Sequence, residues 1–167
     1  MALGKRKKRA ASTGPEKPEI LEPEFWRKKT LEEMSEAEWE ALCDGCGKCC
    51  LLKLEDEDTL KVTYTSIACR LFDDQTCRCG NYALRNTLVP QCVALTPETV
   101  RAEKDWMPRS CAYRLLAEGY DLYAWHPLVS GDPESAHKAG VSVQGRTIPE
   151  YEVDLEDAPN FAIEETI

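Results

Sequence analysis

The sequence predicts an α+β fold, as a small, loop-rich single domain, on three observations. The chain has 167 residues, a length at which one domain buries a core without covalent help. Helical and strand patterns alternate in short pieces, with no internal repeat and no natural boundary for a second domain. Nine cysteines fall inside one 69-residue window, from Cys43 to Cys111. The middle of the chain is therefore organised around thiols.

Taken in order, residues 1–24 join the basic run Lys5, Arg6, Lys7, Lys8 and Arg9 to Pro15, Pro18 and Pro23. Such a composition buries too little apolar surface to offset chain entropy, and a disordered arm is expected. The folded domain, 25–167, starts at Phe25 and Trp26, whose rings are costly to leave in water. Thr30 with Glu33, and Ser35 with Glu38, have capping-box spacing, and "SEAEWEAL" continues as a helix that delivers the chain to Cys43. Gly45 and Gly47 then permit backbone angles that turn amides towards sulfur.

"TLKVTYTSIAC" alternates Leu60, Val62 and Tyr64 with Lys61 and Thr63, which predicts a half-buried strand ending beside Cys69. Residues 69–92 are turn-rich, with "DDQT" and "CGN" as turns. Thr96 caps a helix opened by Pro97 and Glu98, and another helix runs over 111–118 to Gly119, with Cys111 in its first turn. The cysteine core thus spans 43–111. Residues 120–167, with four prolines and short pieces such as "VSV", read as a wrap of loops with a helix near 133–139 and two strands.

The net charge is −9, and beyond residue 9 the chain carries 16 basic against 30 acidic side chains. That body repels nucleic acid, and only the arm could meet phosphate or a membrane surface. No apolar run approaches the roughly 20 residues that span a bilayer, and no hydrophobic signal core follows the basic start. The reading is a cytoplasmic protein without membrane insertion, its protein partners left open. In that compartment thiols stay reduced, and clustered cysteines mean metal or redox chemistry more often than disulfides.

The chemistry is concentrated in "CDGCGKCC". Each Cys-x-x-Cys step lets a tight turn bring two sulfurs onto one ion, as in zinc knuckles and iron–sulfur loops, and here two steps overlap through Cys46. Cys43, Cys46 and Cys49 resemble the first three ligands of a four-iron cluster, although Cys50 follows at once and no Cys-Pro closes the run. Zinc competes on equal terms. Adjacent Cys49 and Cys50 do not readily ligate one ion, so either they serve neighbouring sites or one stands outside coordination. Eight ligands complete two tetrahedral sites or two cubanes and leave one cysteine over.

These residues, with Cys69, "TCRCGNY", Arg85, Cys92, "SCAYRLLAEGYDL" and "AWHPLVSGD", resemble the bacterial CxxCxxCC cysteine-cluster family, and within it a YcgN-like branch, over about residues 24–145. The resemblance implies zinc or iron chelation and no assigned activity. It maps the family pattern onto Cys43, Cys46, Cys49, Cys50, Cys69, Cys79 and Cys92, with Tyr82 and Arg85 in its aromatic and basic positions. Cys77 and Cys111 stand as additions of the branch, and Arg85-Asn86 replaces the Arg-Pro common in the family. All nine cysteines are metal-ligand candidates, and the cofactor is zinc or iron, a 4Fe–4S cluster being one form of the iron.

Among other residues, Arg70, Arg78 and Arg85 offset thiolate charge, and at least one of them is expected to donate to sulfur. His126, in "AWHPL", reads as a packed histidine holding one hydrogen bond, and His137 as exposed. Trp39, Trp106 and Trp125 read as core aromatics, and the run from Glu55 to Asp58 as a solvated loop. No phosphate loop, HExxH helix, GxSxG elbow or dinucleotide fingerprint is present, so any catalysis rests on the metal. The alternatives to a metal-binding module are an iron–sulfur redox enzyme or electron carrier, and a metal-buffering or delivery protein.

Overall fold

A computed structural model describes residues 20–164. The arm expected over residues 1–24 lies outside the described residues as far as residue 19; Leu21 packs on the first core, and Glu22 pairs with Lys28 and Lys29. Helix α1, Phe25–Lys28, is followed by a 3-10 turn at Leu31–Glu33 and by α2, Glu36–Ala41. Glu33 and Glu38 accept from the backbone N–H groups of Thr30 and Ser35 at 2.8 and 2.9 Å, as the spacing predicts. Such caps stabilise short helices by about 1 kcal/mol each. Helix α2 thus ends two residues before Cys43, with Leu42 fully buried.

After the cysteine loop and a 3-10 turn at Lys48–Cys50, strands β1, Leu51–Glu55, and β2, Val62–Ala68, pair antiparallel. Asp56 builds the turn between them, its Oδ1 accepting from the N–H groups of Asp58 and Thr59 and from the Thr59 hydroxyl. Leu60 falls in that turn with φ 56° and is 70% exposed, not on the strand face where the alternation placed it. The side chain of Asp56, four residues upstream, decides where the strand starts. Strands β3, Phe72–Asp73, and β4, Arg78–Cys79, form a hairpin over the "DDQT" turn.

Helices α3, Arg85–Leu88, α4, Pro97–Ala102, and α5, Ala112–Ala117, follow, the last with Cys111 as its N-cap and Gly119 beyond its end at φ 80°. Thr96 caps α4 through the Thr99 N–H. The wrap contains α6, Pro127–Ser130, and α7, Ser135–Lys138. Its two strands, β5, Ile148–Pro149, and β6, Ala162–Ile163, both pair with β2, the first parallel and the second antiparallel. "VSV" joins no ladder; Val141 and Val143 are buried, and the Val143 N–H donates to Cys46 O at 2.9 Å.

Two apolar clusters result. Phe25, Trp26, Leu31, Leu42, Val100 and Tyr113 belong to a helical core; Leu51, Tyr64, Ala68, Cys77 and Val143 form a smaller one on the sheet. The loop 43–50 is the passage between them. The Tyr113 hydroxyl donates to Trp39 O and the Tyr64 hydroxyl to Trp106 O, each at 2.9 Å, which ties α5 to α2 and the sheet to the chain between α4 and α5.

Buried Glu38 takes Lys29 Nζ on both oxygens, at 2.7 and 2.9 Å. The Lys29 hydrogen bond, then the Ser35 N–H, holds its carboxyl below the ordinary 4.5. A carboxyl lowered in the folded state stabilises above its unfolded value and loses that contribution as pH falls through the lowered one. Urea midpoints should therefore drop as pH falls below about 4.5, and Glu38→Gln should flatten that drop; an unchanged profile would remove Glu38 from the account of acid sensitivity.

Candidate metal centre

Helix α2 hands the chain to Cys43, and left-handed Gly45 and Gly47, φ 73° and 77°, fold the next residues back on themselves. Asp44 sets this turn: its Oδ1 accepts from the Cys46 N–H at 3.0 Å. The carboxylate is only 7% exposed, and its other oxygen, Oδ2, has no hydrogen-bond partner. A buried anionic oxygen left so beside thiols calls for positive charge.

Cys46 is buried, Cys50 half-buried, and Cys43 and Cys49 reach the surface. Burial pushes the Cys46 thiol well above 9.0, with the charges of Asp44 and Cys49 adding to it. Cys49 and Cys50 stand 4.0 Å apart, sulfur to sulfur. Their hydrogen bond holds the Cys49 thiol below the ordinary range and pushes that of Cys50 above it.

Four segments bring the other thiols. The Cys69 N–H donates to Cys50 O at 2.9 Å, extending the β1–β2 ladder by one step. Cys79 faces Phe72 across the hairpin, and the Phe72 N–H donates to Cys69 O at 2.8 Å. The Arg70 guanidinium holds Leu88 O at 2.5 Å, fixing the segment that leads to Cys92. Asn86 donates its side-chain amide to Cys92 O, a bond that the proline implied at this position by the resemblance could not make. Cys111 arrives through the packing of Tyr113 on Trp39, rings 4.8 Å apart, and burial pushes its thiol up to about 12.

Cys77 is different. It sits buried in the sheet core with φ 51°, its charged neighbours being Asp74, Arg78 and Arg146. All nine cysteines are free thiols. Among the described residues no three histidine, cysteine or carboxylate side chains converge on one point. A site that is not preformed is one whose metal binding and folding are linked.

Arg78 meets the expectation for a sulfur donor: its Nη1 lies 3.8 Å from Cys43 Sγ, and its guanidinium covers Gly45. Arg85 stacks on Tyr82 at 3.7 Å instead, while the Tyr82 hydroxyl reaches Glu40 on α2. Lys53, missed in the sequence because nothing marks a strand lysine as inward-facing, donates to Cys49 O and Leu51 O. Burial lowers its ammonium, against the charges of Cys49, Cys50 and Cys46. Asp44 was also missed, although an Asp before Gly is a standard acceptor for a nearby N–H.

His126 is 1% exposed and bonded at both ring nitrogens, to Leu42 O and the Leu128 N–H, one more partner than expected. His137 is half-buried, with Nδ1 2.7 Å from Ser142 Oγ. Trp39 packs on the helical core, Trp125 stacks on Tyr123, and Trp106 is 36% exposed. The acidic run from Glu55 to Asp58 is exposed.

Comparison with known proteins bears on this arrangement. Residues 42–112 match the CxxCxxCC family model, described as a "Putative zinc- or iron-chelating domain". The segment contains all nine cysteines and closes on the first residue of α5. No solved structure matches the chain. A UPF0260 protein of Parvibaculum lavamentivorans is 62% identical over 81% of this chain and 88% of its own length. One from Mesorhizobium japonicum is 59% identical over 84% and 94%, and one from Sinorhizobium medicae 58% identical over 83% and 89%. With the cysteine model matched and near-full-length relatives at this identity, the chain belongs to the UPF0260 family of cysteine-cluster proteins.

Proposed function

We propose that the protein is a cytoplasmic metal-binding module that chelates zinc or iron through Cys43, Cys46, Cys49, Cys50, Cys69, Cys79, Cys92 and Cys111. The observation that carries this reading is the run of four free thiols over residues 43–50, inside the segment that matches the chelating-domain model and beside a buried carboxyl oxygen without a partner. Thiolate donors suit zinc and iron–sulfur centres, and a reducing compartment keeps them available. Zinc bound there would cross-link the segments; iron with sulfide would add one-electron chemistry. The protein's own part is to present the sulfurs, to balance their charge with Arg78 and Lys53, and to anchor the loop between two cores.

Anaerobic purification of the untagged chain, followed by elemental analysis and visible absorption on one sample, tests this. Stoichiometric zinc in a colourless protein supports a chelating, structural module. A brown protein with iron and acid-labile sulfide supports the electron-carrier form of the same reading. A chain free of zinc and iron that also takes up neither anaerobically would overturn it.

A further inference from the structure

We infer that the face carrying Tyr82, Leu84, Leu88 and Val93 is a docking surface for a second copy of this chain, which meets it with the same face across a two-fold axis. The inference goes beyond chelation and does not depend on it.

The first reason is a stretch of ordered chain that has no inside. No residue from 78 to 99 is buried, although the stretch contains the 3-10 turn Tyr82–Leu84 and helix α3. Helical pieces of three and four residues do not hold themselves in water and draw their stability from packing. Here the ties to the rest of the chain are mainly polar: Arg70 to Leu88 O, and the Tyr82 hydroxyl to the Glu40 carboxylate. Leu95 alone of this stretch packs on the helical core. Meanwhile Tyr82, Leu84, Leu88 and Val93 are 51, 53, 40 and 49% exposed. Leu84 and Leu88 lie one turn apart and share a side. The bond from Asn86 to Cys92 O brings Val93 alongside them. Apolar groups gathered in this way inside a polar rim mark an interaction site.

The second reason is charge. Residues 75–97 contain no Asp or Glu, and no other acid-free run of the chain is as long. With a net charge of −9, two copies repel wherever their carboxylates face each other. This face is where like-charged chains can meet without that cost. A basic protein would be drawn to the acidic faces instead. A second copy also matches the rim. Arg85 stacks on Tyr82, whose hydroxyl reaches Glu40, and Arg70 lies 3.7 Å from Glu150. The rim thus carries both signs side by side, and a two-fold rotation can set the Arg85 of one copy against the Glu40 of the other. An isologous contact needs such self-complementarity, and an uncharged centre within a mixed polar rim is the anatomy of a protein interface.

The contact borders the thiols. Cys92 directly precedes Val93, and Cys79 lies three residues before Tyr82. Pairing would therefore shield this side of the cysteine core from solvent.

The test is sedimentation velocity of the full chain under reductant, metal-free and zinc-loaded, over a range of concentrations. A reversible dimer is expected, weak as small interfaces are, and raised salt should tighten it by screening the repulsion between two acidic copies. Leu84→Glu and Leu88→Glu each place like charges against each other at the contact and should weaken it at least about tenfold. Tyr120→Glu, at a position just as exposed beyond α5, should leave it unchanged. Hydrogen exchange of the wild type needs no variant: protection over residues 82–93 should rise with concentration. A dimer in either loading state that both leucine variants dissociate upholds the inference, and one formed by the metal-free chain stands whether or not chelation does. A chain that stays monomeric would overturn it and leave the face to a different protein. A dimer indifferent to both leucine variants, or one loosened by salt as a contact between the basic run 5–9 and an acidic face would be, would overturn it as well.

Discussion

Treating the purified protein with a strong chelator is expected to lower its unfolding temperature by on the order of 20 °C or more and to open the segment 43–92 to protease. The magnitude follows from the linkage between metal binding and folding: one structural zinc contributes about 10 kcal/mol or more where the site is not preformed. For a chain of this size each kcal/mol is worth about 2–4 °C. Here the dependence is strong because the sheet cluster is small: five buried residues, one of them Cys77. Trypsin supplies the readout. Lys48, Arg70, Arg78 and Arg85 lie among the thiols, and Lys48 is only 4% exposed. Cleavage should appear there first, while Arg114 in α5, on the larger helical core, stays protected. A chelated protein with the same melting curve and digest would show that the fold stands without metal.

Gly47→Ala should cost about 2–5 kcal/mol, the sum of a left-handed backbone penalty and overpacking. A methyl at this position would lie 2.7 Å from Phe72 Cζ and 2.9 Å from Val143 Cγ2, and φ is 77°. Both obstacles are ring and branched carbons of the sheet cluster. Gly119→Ala is the control: φ is 80°, and nothing lies within 4 Å. It should cost only the backbone part, about 1–2 kcal/mol. Urea unfolding of the two variants separates the terms, and equal losses would mean that the contact with Phe72 and Val143 is not limiting. The position matters for the site because Gly47 separates Cys46 from the turn that carries Cys49 and Cys50.

What the sequence discloses here is what is local. The capping pairs at Thr30 and Ser35, the Thr96–Pro97 start and the Gly119 stop each act within four residues, and each is found where the pattern puts it. The exit of α2 onto Cys43 is legible for the same reason. Long-range placement is not. Nothing near Cys111 in the chain says where its helix packs; Tyr113 and Trp39, 74 residues apart, set α5 against α2. Leu60 fits a strand pattern, but the Asx turn of Asp56 overrides it. The valines of "VSV" alternate like a strand, yet they join no ladder: the Val143 N–H donates to Cys46 O, with the side chain against Gly47, and the Val141 N–H donates to Ala136 O. Cys77 and Cys79 flank one arginine in the sequence, and only packing sends the first into the sheet core and leaves the second opposite Phe72 in the hairpin.

Lys53 has one more effect. Strand β2 is covered on its far side by β5 and β6, two residues each, which leaves β1 as the longest edge strand of the sheet among the described residues. An open edge is a template on which strands from other copies add and aggregates grow. Along β1 the pairing register slips between Leu51 and Lys53, and the Lys53 ammonium occupies the carbonyls of Cys49 and Leu51. A charged side chain and a broken register together deny an incoming strand a regular row of partners. The same lysine that offsets thiol charge thus guards the protein against edge-to-edge aggregation.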